Sequence, residues 1–363
     1  MIELPVRLKG LILSGGKGSR LRPFTYTGAK QLVPIANKPI LFYAIESLRQ
    51  CGVRDIGIVV GDTKEQVMAA VGDGSRFDVS VTYIEQEAPL GIAHAVKVSR
   101  DFIGDDPFVL FLGDNFIKEG IIPFALAFCR DNPLPAAQVL LCPVANASEF
   151  GVADLKDGRL ARVIEKPARP PTNLAVIGIY MFGPQVFEAV NAIRPSARGE
   201  LEITDTIQYL IDHGHDVRCE IVDGCWIDTG KMDDLLDANR AILETLEPES
   251  AGTVDGASRV EGRVVLEQGC EIVNSVVRGP SIIGERTRIV NSYVGPFTSI
   301  YHDCVVEGSE IEQSVVMENT VIRGVTGRIQ DSLIGRNVEL TGSDARPRGC
   351  NLVLGDFSKV RLP

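Results

Sequence analysis

The segment GLILSGGKGSRLRP, residues 10–23, decides how the first part of this chain is interpreted. Residues 10–13 predict a buried strand, because strands that are covered on both faces read as continuous apolar runs. The strand leads into a turn whose small and basic residues are Gly15, Gly16, Lys17, Gly18, Arg20 and Arg22. Glycines let backbone N–H groups approach an anion closely, and the cations supply opposite charge. The segment therefore predicts a phosphate-binding loop.

This loop departs from the two common glycine-rich motifs. A Walker loop requires glycine where Leu11 stands and Ser or Thr where Gly18 stands. A dinucleotide-binding fingerprint requires a small residue at Leu21. The loop thus indicates an anion site without indicating either of these classes.

Outward from the loop, short apolar runs alternate with amphipathic segments as far as residue 246. Strands are predicted at 10–13, 56–60, 79–84 and 108–112, and helices at 40–49, 64–71, 93–101 and 232–247. This alternation indicates right-handed crossovers and a largely parallel sheet flanked by helices, that is, an α/β fold. Further strands predicted at 138–141, 151–155 and 175–182 indicate that the sheet is mixed.

Beyond residue 250 apolar residues recur in triplets with a step of six, and the first residues of successive triplets are 17 apart. The triplets are Val260, Leu266 and Ile272, then Val277, Ile283 and Ile289, then Val294, Ile300 and Val306, and the step of six resumes at Val316 and Ile322 and at Ile334 and Leu340. A six-residue period predicts a parallel β-helix, in which each short strand forms one side of a triangular coil, with room for about five coils. A β-sandwich is the alternative, but it would place turns about every 8–12 residues. We expect two domains, over residues 1–248 and 249–363.

Composition narrows the function classes. The 363 residues include 37 Lys+Arg and 48 Asp+Glu, and a net charge of −11 argues against a general nucleic-acid binder. No apolar run approaches the roughly 18 residues that a membrane span needs. Eight cysteines without C-x-x-C pairs favour reduced thiols in a cytoplasm, and with four separated histidines they disfavour a thiolate or imidazole metal site.

Several motifs occur in one order along the first 240 or so residues. They are GGKGSRLRPFT (15–25), GAKQLVPIANKP (28–39), Gln86, Gly91, LGDN (112–115), EKP (165–167), Asn173-x-Ala175-Val176-x-Gly178 and WIDTG (226–230). This pattern resembles the sugar-phosphate nucleotidylyltransferases. Within that family it most resembles the long glucose-1-phosphate thymidylyltransferases, which append a left-handed β-helix.

The resemblance implies a fold and an activity. The fold is a Rossmann-like mixed, mostly parallel sheet flanked by helices (the nucleotidyltransferase fold), followed by a left-handed parallel β-helix. The activity is Mg²⁺-dependent transfer of dTMP from dTTP to glucose 1-phosphate, giving dTDP-glucose and pyrophosphate for deoxysugar biosynthesis. We expect no nucleic-acid or membrane partner, and a homo-oligomer built through the flat faces of the β-helix.

The resemblance also implies site residues, by position in the motifs. The catalytic residues are Arg20, Lys30, Asp114 and Asp228, of which Asp114 and Asp228 hold Mg²⁺. Nucleotide-binding residues are Leu13, Gly15, Gly16, Gly18, Ser19, Gln31, Gln86 and Gly91. Sugar-phosphate-binding residues are Gly151, Glu165, Lys166, Val176 and Trp226.

The residues alone leave the two aspartates open. Asp114 follows the strand 108–112, and open α/β sheets place ligands at such strand ends. Asp228 follows Trp226-Ile227, another strand-like end. An aspartate there caps a turn more often than it binds a metal, although Mg²⁺ is bound by one or two carboxylates together with substrate phosphates. Their positions in the family motifs favour the metal role.

Three other functions compete with this one. UTP or another hexose 1-phosphate is the nearest, since His94 stands where the family often has Gln and Phe150 where it often has Tyr. Acetyl transfer in the β-helix is a second, and His302 is the single histidine after His215 that could serve it. A regulatory subunit is a third, but the chain keeps all the charged residues proposed for the triphosphate, the metal and the sugar phosphate.

Overall fold

The computed structural model describes residues 4–16, 18–224, 226–342 and 351–361. The chain forms two compact units. The sheet unit comprises residues 1–17 and 40–228, and the β-helix unit comprises residues 18–39 and 229–363. Across the described residues, no helix has both the length and the apolar character needed to span a bilayer.

Strands and helices alternate along the chain before residue 244. The strands are β1 (Lys9–Leu13), β2 (Pro34–Ile35), β3 (Lys38–Pro39), β4 (Asp55–Val60), β5 (Ser80–Glu85), β6 (Phe108–Leu112), β7 (Asn115–Ile117), β8 (Ala137–Pro143), β9 (Gly151–Lys156), β10 (Arg159–Glu165), β11 (Leu174–Phe182), β12 (Val217–Ile221) and β13 (Trp226–Asp228). The helices are α1 (Ile40–Gln50), α2 (Lys64–Val71), α3 (Ile92–Val98), α4 (Arg100–Ile103), α5 (Ile122–Phe128), α6 (Val186–Ala192), α7 (Ile203–Asp212) and α8 (Met232–Leu243). Short 3₁₀ turns lie at Ser19–Leu21, Phe24–Tyr26, Lys30–Leu32, Ser75–Phe77 and Ala147–Glu149.

The sheet unit is built on a mixed sheet with the strand order β10-β9-β11-β6-β1-β4-β5. Strands β6, β1, β4 and β5 are parallel, and β1 pairs with β4 on one side and β6 on the other. The chain therefore moves outward from β1 to β5 and then returns across β1 to β6. This reversal is the switch point at which open α/β sheets bind ligands. The predicted α/β class is confirmed.

The antiparallel part of the sheet begins at β11, which pairs with β6 and also with β8 and β9. The register between β11 and β8 shifts between Val176 and Tyr180. Gly178 lies in this bulge, where a β-carbon would stand 2.6 Å from the Asn115 side-chain oxygen. Bulges of this kind re-aim neighbouring side chains next to functional sites.

Two predicted elements differ from the structure. The helix expected at 93–101 is divided into α3 and α4 at Ser99, whose hydroxyl donates to the Ala95 carbonyl at 2.7 Å. A serine that bonds back in this way competes with the helical ladder. Helix α8 ends at Leu243 rather than 247, because the Thr245 hydroxyl donates to the Ile242 carbonyl and Pro248 disfavours helical backbone before it.

The β-helix unit continues with short strands. They are β14 (Glu249–Ser250), β15 (Thr253–Val254), β16 (Arg259–Glu261), β17 (Val264–Leu266), β18 (Glu271–Val273), β19 (Val276–Arg278), β20 (Ser281–Ile283), β21 (Arg288–Val290), β22 (Tyr293–Val294), β23 (Thr298–Ile300), β24 (Val305–Glu307), β25 (Glu310–Glu312), β26 (Val315–Val316), β27 (Val321–Arg323), β28 (Arg328–Gln330), β29 (Leu333–Ile334) and β30 (Glu339–Thr341). Every third strand stacks in parallel on the next, giving three sheets of six, six and five strands among the described residues. The left-handed β-helix is confirmed, with five complete coils and part of a sixth rather than about five.

Its core and corners follow from the period. The recurring aliphatic residues point inward, and Val277, Ile289 and Val294 are fully buried. At one corner a serine ladder connects the coils: Ser292 donates its backbone N–H to Ser275 Oγ at 3.0 Å, and its own Oγ accepts from Ser309 N at 3.2 Å. The ladder satisfies backbone N–H groups where the chain turns, which a buried corner requires.

Val260 and Val277 give a matched test of this core. They are register partners in adjacent coils, but Val277 is fully buried while Val260 is 38% exposed. We expect Val277→Ala to lower the free energy of unfolding by about 2 kcal/mol, because it removes buried methyl groups and leaves a cavity. Val260→Ala should cost less than about 0.5 kcal/mol. Urea unfolding of the whole chain measures both, and equal costs would contradict the inward assignment.

Candidate active site

The carboxyl ends of the parallel strands bring the first group of predicted residues to one edge of the sheet unit. Ser14, after β1, donates its N–H to the Val59 carbonyl at 2.8 Å. Gly113, after β6, donates to the Leu13 carbonyl at 2.9 Å, and a β-carbon there would stand 2.9 Å from that oxygen. Gly15 and Asp114 therefore follow two adjacent strand ends, as the sequence predicts. Gly16 continues the same segment, and Lys17 lies outside the described residues.

Asn115 connects this edge to the sugar-phosphate candidates. Its side-chain oxygen accepts from Trp226 Nε1 at 2.8 Å and from the Gly178 N–H at 3.3 Å. A carbonyl oxygen accepts two such bonds, so the amide nitrogen is left to face Asp114, to whose Oδ1 it donates at 3.2 Å. Asn115 is 2% exposed and Asp114 is 8% exposed. One buried carboxamide thus fixes both the aspartate and the indole.

Asp228 belongs to the same cluster by strand register. It ends β13, which pairs antiparallel with β7 and sets Asp228 opposite Asn115. Asp114 immediately precedes β7. The two predicted metal ligands, Asp114 and Asp228, therefore lie at neighbouring positions of the two-stranded β7–β13 sheet.

Gln86 follows β5, the outermost parallel strand, at the same carboxyl edge, where a β-carbon on Gly15 would stand 3.6 Å from Gln86 Oε1. Its Nε2 donates to the Gly91 carbonyl at 3.2 Å and lies 3.0 Å from His94 Nδ1. An amide nitrogen only donates, so the histidine is neutral at Nδ1 in this contact. Burial lowers the pKa of His94 below its ordinary value, which favours that neutral form. His94, which departs from the family pattern, holds Gln86 in place.

Gly91 has a structural reason to be glycine. Its φ is +104°, and a β-carbon would stand 2.3 Å from the Leu201 carbonyl oxygen. Ala93, in the first turn of α3, donates its N–H to the same oxygen at 3.1 Å. The close approach of residue 201 therefore fixes the start of α3 and the Gln86 contact together.

The predicted sugar-phosphate residues converge around Glu165. Gly151 and Glu165 are register partners in the β9–β10 hairpin. A β-carbon on Gly151 would stand 3.4 Å from Glu165 Oε2 and 3.9 Å from Val176. Only a glycine leaves this space open, because the same atom would also lie 2.6 Å from a methyl group of Thr204.

Glu165 is anchored by two residues that the sequence did not single out. Thr204 Oγ1 donates to Glu165 Oε2 at 3.1 Å, and Arg198 donates to Oε1 at 3.2 Å. The same guanidinium donates to both oxygens of Glu202 at 2.8 Å. A carboxylate accepts about four hydrogen bonds, so Glu165 keeps capacity for ligand hydroxyls. Arg198 and Thr204 lie more than thirty residues away in sequence, beyond any spacing rule.

Lys166 and Trp226 complete this part of the site. Lys166 has φ +40° at the end of β10, and its N–H donates to the Phe150 carbonyl at 3.0 Å. Its side chain is 45% exposed. The Phe150 ring meets the Trp226 indole edge-to-face at a centroid distance of 5.4 Å. The phenylalanine that replaces the family's common tyrosine therefore packs against the tryptophan.

The remaining predicted residues belong to the β-helix unit. They are Gly18, Ser19, Arg20, Lys30 and Gln31. Gly18 has φ +59°, and its carbonyl accepts from Thr25 Oγ1 at 2.6 Å and from the Leu21 N–H at 2.9 Å. Ser19 and Arg20 follow in the 3₁₀ turn Ser19–Leu21. Lys30 and Gln31 lie in a later 3₁₀ turn, Lys30–Leu32.

Two buried oxygen atoms at these loops lack a partner in the described structure. One is Ser14 Oγ, next to Gly15 in the sheet unit, and the other is Gln31 Oε1 in the β-helix unit. Both residues are at most 1% exposed. A buried polar atom without a hydrogen bond is costly, so both atoms are candidates for contact with a polar ligand.

Comparison with known proteins identifies the family. The sequence pattern described as nucleotidyl transferase matches residues 9–245. The chain belongs to the nucleotidyl transferase family. It is an enzyme of that family, as its predicted recognition motifs indicated.

Individual relatives extend the match to the full length. A glucose-1-phosphate thymidylyltransferase of Streptomyces griseus is 52% identical over 98% of this chain and 99% of its own. One of Streptomyces antibioticus is 51% identical over the same shares. A crystal structure from Bacillus anthracis, assigned as a glucose-1-phosphate thymidylyltransferase and holding sucrose, is 36% identical with a TM-score of 0.62. It covers 67% of this chain and 98% of that one.

The Asn115 contacts generate a test with a built-in reporter, since Trp226 is the sole tryptophan in the chain. We expect Asn115→Ala to shift the tryptophan emission and to lower the free energy of unfolding by about 1–3 kcal/mol, because buried donors lose their acceptor. Asn115→Asp keeps an acceptor for Trp226 and should leave the emission close to wild type. Asn191→Ala, which removes an exposed side chain bonded to the Phe187 carbonyl, is the control. An unchanged spectrum in Asn115→Ala would contradict the assigned bond.

Proposed function

We propose that this enzyme transfers the thymidylyl group of dTTP to glucose 1-phosphate, giving dTDP-glucose and pyrophosphate for deoxysugar biosynthesis. The names of the two Streptomyces relatives, matched over 98% of this chain, support the substrates. The observation that carries the proposal is the Asn115 cluster. It holds a buried aspartate at the sheet switch point and a tryptophan beside the predicted sugar pocket.

The proposed reaction is a single displacement. An oxygen of the sugar phosphate attacks the α-phosphorus of dTTP and forms a new P–O bond, while the bond from that phosphorus to the bridging oxygen breaks. Pyrophosphate leaves with the electron pair on the opposite side. The attacking phosphate is already ionised, so the step needs no side-chain nucleophile or strong base. The enzyme's task is to align two polyanions and to stabilise the spreading charge.

Cationic residues carry out the charge neutralisation in this proposal. Arg20 faces the β- and γ-phosphates, Lys30 the α-phosphate, and Lys166 the sugar phosphate. The backbone N–H groups around Gly15 and Gly16 are proposed as further donors to phosphate, and so are those around Gly18. Ser19 adds a hydroxyl, and Leu13 forms the apolar floor at the end of β1.

The residues at the sheet switch point fit a magnesium ion. Asp114 and Asp228 offer carboxylate oxygens, and the described residues contain no group of three or more His, Cys, Asp or Glu placed for a metal. Mg²⁺ suits such a sparse site, since it is usually held by one or two carboxylates with waters and substrate phosphates. When bound, it would offset negative charge on the triphosphate. Asn115 orients Asp114 for this role.

We assign selection of the base to the residues around Gln86 and selection of the sugar to the residues around Glu165. Gln86, held by Gly91 and His94, presents its amide to the pyrimidine edge, and the buried oxygen of Gln31 accepts a further donor. Glu165 accepts sugar hydroxyls in the space left by Gly151, with Val176 and Trp226 as walls. A site built to hydrogen-bond hydroxyls rejects wrong sugars more strongly than an apolar pocket does.

The nearest alternative keeps this chemistry with UTP or another hexose 1-phosphate. Thymine differs from uracil by one methyl group, which a fitted pocket distinguishes by about 1–3 kcal/mol. Direct competition between substrates separates these cases.

We also propose a cytoplasmic setting for the reaction. Cys51, Cys129, Cys270 and Cys304 are buried free thiols in the described structure. Unpaired buried thiols suit a reducing compartment. The homo-oligomer expected from the flat β-helix faces stays a prediction.

The proposal predicts one best substrate pair. Pyrophosphate release, measured for dTTP, UTP, ATP, CTP and GTP against several sugar 1-phosphates, should be fastest with dTTP and glucose 1-phosphate. Chelation of divalent metal by EDTA should abolish it. A faster rate with another pair would overturn the substrate assignment, and turnover unaffected by EDTA would remove the role of Asp114 and Asp228.

The same assay distinguishes the loss of a charge that contacts the triphosphate from a non-specific effect of replacing an arginine. Arg20→Gln should lower kcat by about 100- to 1000-fold, the usual effect of losing one transition-state contact. Arg49→Gln, which removes a partly exposed guanidinium paired with Asp78, is the matched control and should change little. Wild-type turnover in Arg20→Gln would refute the function of the glycine loop.

A further inference from the structure

We infer that the β-helix positions the nucleotide-binding residues, and that Asn239 and Asn37 are the positioning residues that do so. The segment concerned is residues 18–39, which we call the loop segment and which carries Arg20, Lys30 and Gln31. It belongs to the β-helix unit and not to the sheet unit. The inference rests on the proposed function for the roles of these three side chains. Its structural part stands on hydrogen bonds and packing within the β-helix unit.

The loop segment ends in a strained hairpin. Strands β2 and β3 pair antiparallel and are joined by Ala36 and Asn37, with φ of +46° and +59°. Two-residue turns with positive φ at both positions favour asparagine and glycine, and alanine at the first position is disfavoured. Such a conformation persists where surrounding contacts over-determine it, and these sites cluster at ligand clamps.

Asn239 of α8 supplies the first of those contacts. Its side chain is fully buried. Its Oδ1 accepts from the Ala36 N–H at 2.9 Å and from Ser299 Oγ at 2.6 Å, and its Nδ2 donates to the Phe297 carbonyl at 3.1 Å. One carboxamide therefore joins the strained turn, the last helix and the fourth coil of the β-helix.

Asn37 supplies the second contact that holds the hairpin turn. Its Nδ2 donates to the Ile300 carbonyl at 2.9 Å, at the end of β23. Ser299 and Ile300 are adjacent residues of this strand. Asn37 is thus bonded directly to this strand, and Ala36 is connected to the neighbouring Ser299 through the Asn239 side chain.

Apolar packing holds the rest of the loop segment. Phe24 and Val33 meet Val315, Met317 and Leu333 of the later coils around a void of about 10 Å³. Val33 is 5% exposed, and a β-carbon on Gly335 would lie 3.5 Å from the Phe24 ring. The contact is close-packed, as a positioning surface needs to be.

The turn that carries Lys30 and Gln31 lies between these anchors in sequence. It spans Lys30–Leu32, and Val33 donates its N–H back to the Lys30 carbonyl at 3.2 Å. Gln31 is 1% exposed, and its Oε1 is among the buried atoms without a partner in the described residues. The contacts with the β-helix therefore hold the segment around Gln31, which lies five residues before Ala36 of the hairpin turn and which the proposed function assigns to the nucleotide.

Asn37→Gly tests this with little backbone disturbance, because glycine accepts the positive φ and only the side-chain bond to Ile300 is lost. Asn319→Gly is the matched control, since Asn319 is an exposed residue with φ +58° at a β-helix turn. We expect Asn37→Gly to raise the KM for dTTP about fivefold to tenfold, with the KM for glucose 1-phosphate within about twofold of wild type. Asn319→Gly should leave both unchanged.

Hydrogen exchange supplies a readout that is independent of substrate identity. The amides of residues 29–33 and 35 should exchange faster in Asn37→Gly, and also in Asn239→Ala, than in wild type and Asn319→Gly. Unchanged exchange in both variants, or an unchanged KM for dTTP in a turnover-competent Asn37→Gly, would overturn the inference. If wild type fails to use dTTP while these amides still exchange faster, the proposed substrates fail and the positioning contact stands.

Discussion

Parallel pairing of β1 with β4 on one side and β6 on the other is the constraint on which the site depends. Because parallel strands end at the same edge, the pairing of the strands by itself brings the residues after β1 close to those after β6. The chain then closes this edge with backbone bonds, such as Gly113 N–H to the Leu13 carbonyl. The positions of the glycine-rich loop and of Asp114 follow from that topology. This is why the short apolar strand before the loop predicts a ligand site at its carboxyl end.

Hydrogen bonding at a few buried amides refines what the topology brings together. Asn115 uses both ends of its carboxamide, and Asn239 does the same in the other unit. Each is buried, so an unmade bond would be expensive, and the side chain is therefore held in one orientation. In the proposed mechanism, Asn115 and Asn239 orient other residues and touch no reacting atom themselves.

Much of the fold could be predicted from sequence because its periods are strong. The buried parallel strands read as apolar runs, and the 17-residue spacing between triplets of the six-residue period matched the β-helix register, as with Val277 opposite Val294. Strand β10 was missed because only Leu160 and Val163 of its seven residues are buried, so its pattern is mostly polar. Helix α3 was predicted to be too long, because it ends where the Ser99 hydroxyl donates to the Ala95 carbonyl, and the hydrophobic period gives no sign of that bond.

The candidate site was predictable to the extent that it lies in contiguous motifs. Glu165 came from the motif at 165–167, whereas Arg198 and Thr204, which hold Glu165, are distant in sequence and were not anticipated. Asn115 was visible in the motif after β6, but its role depends on Trp226, more than a hundred residues later. Long-range hydrogen bonds of this kind follow from the folded register and have no signature in local spacing.

The central claim is that the chain aligns two phosphate esters for one direct displacement, with no side chain entering the covalent chemistry. The stereochemical course with a single diastereomer of dTTP bearing sulfur on the α-phosphorus tests this most directly. The account predicts inversion at phosphorus in the nucleotide sugar product. Retention would require two successive displacements through an enzyme-bound nucleotidyl group, and would contradict it.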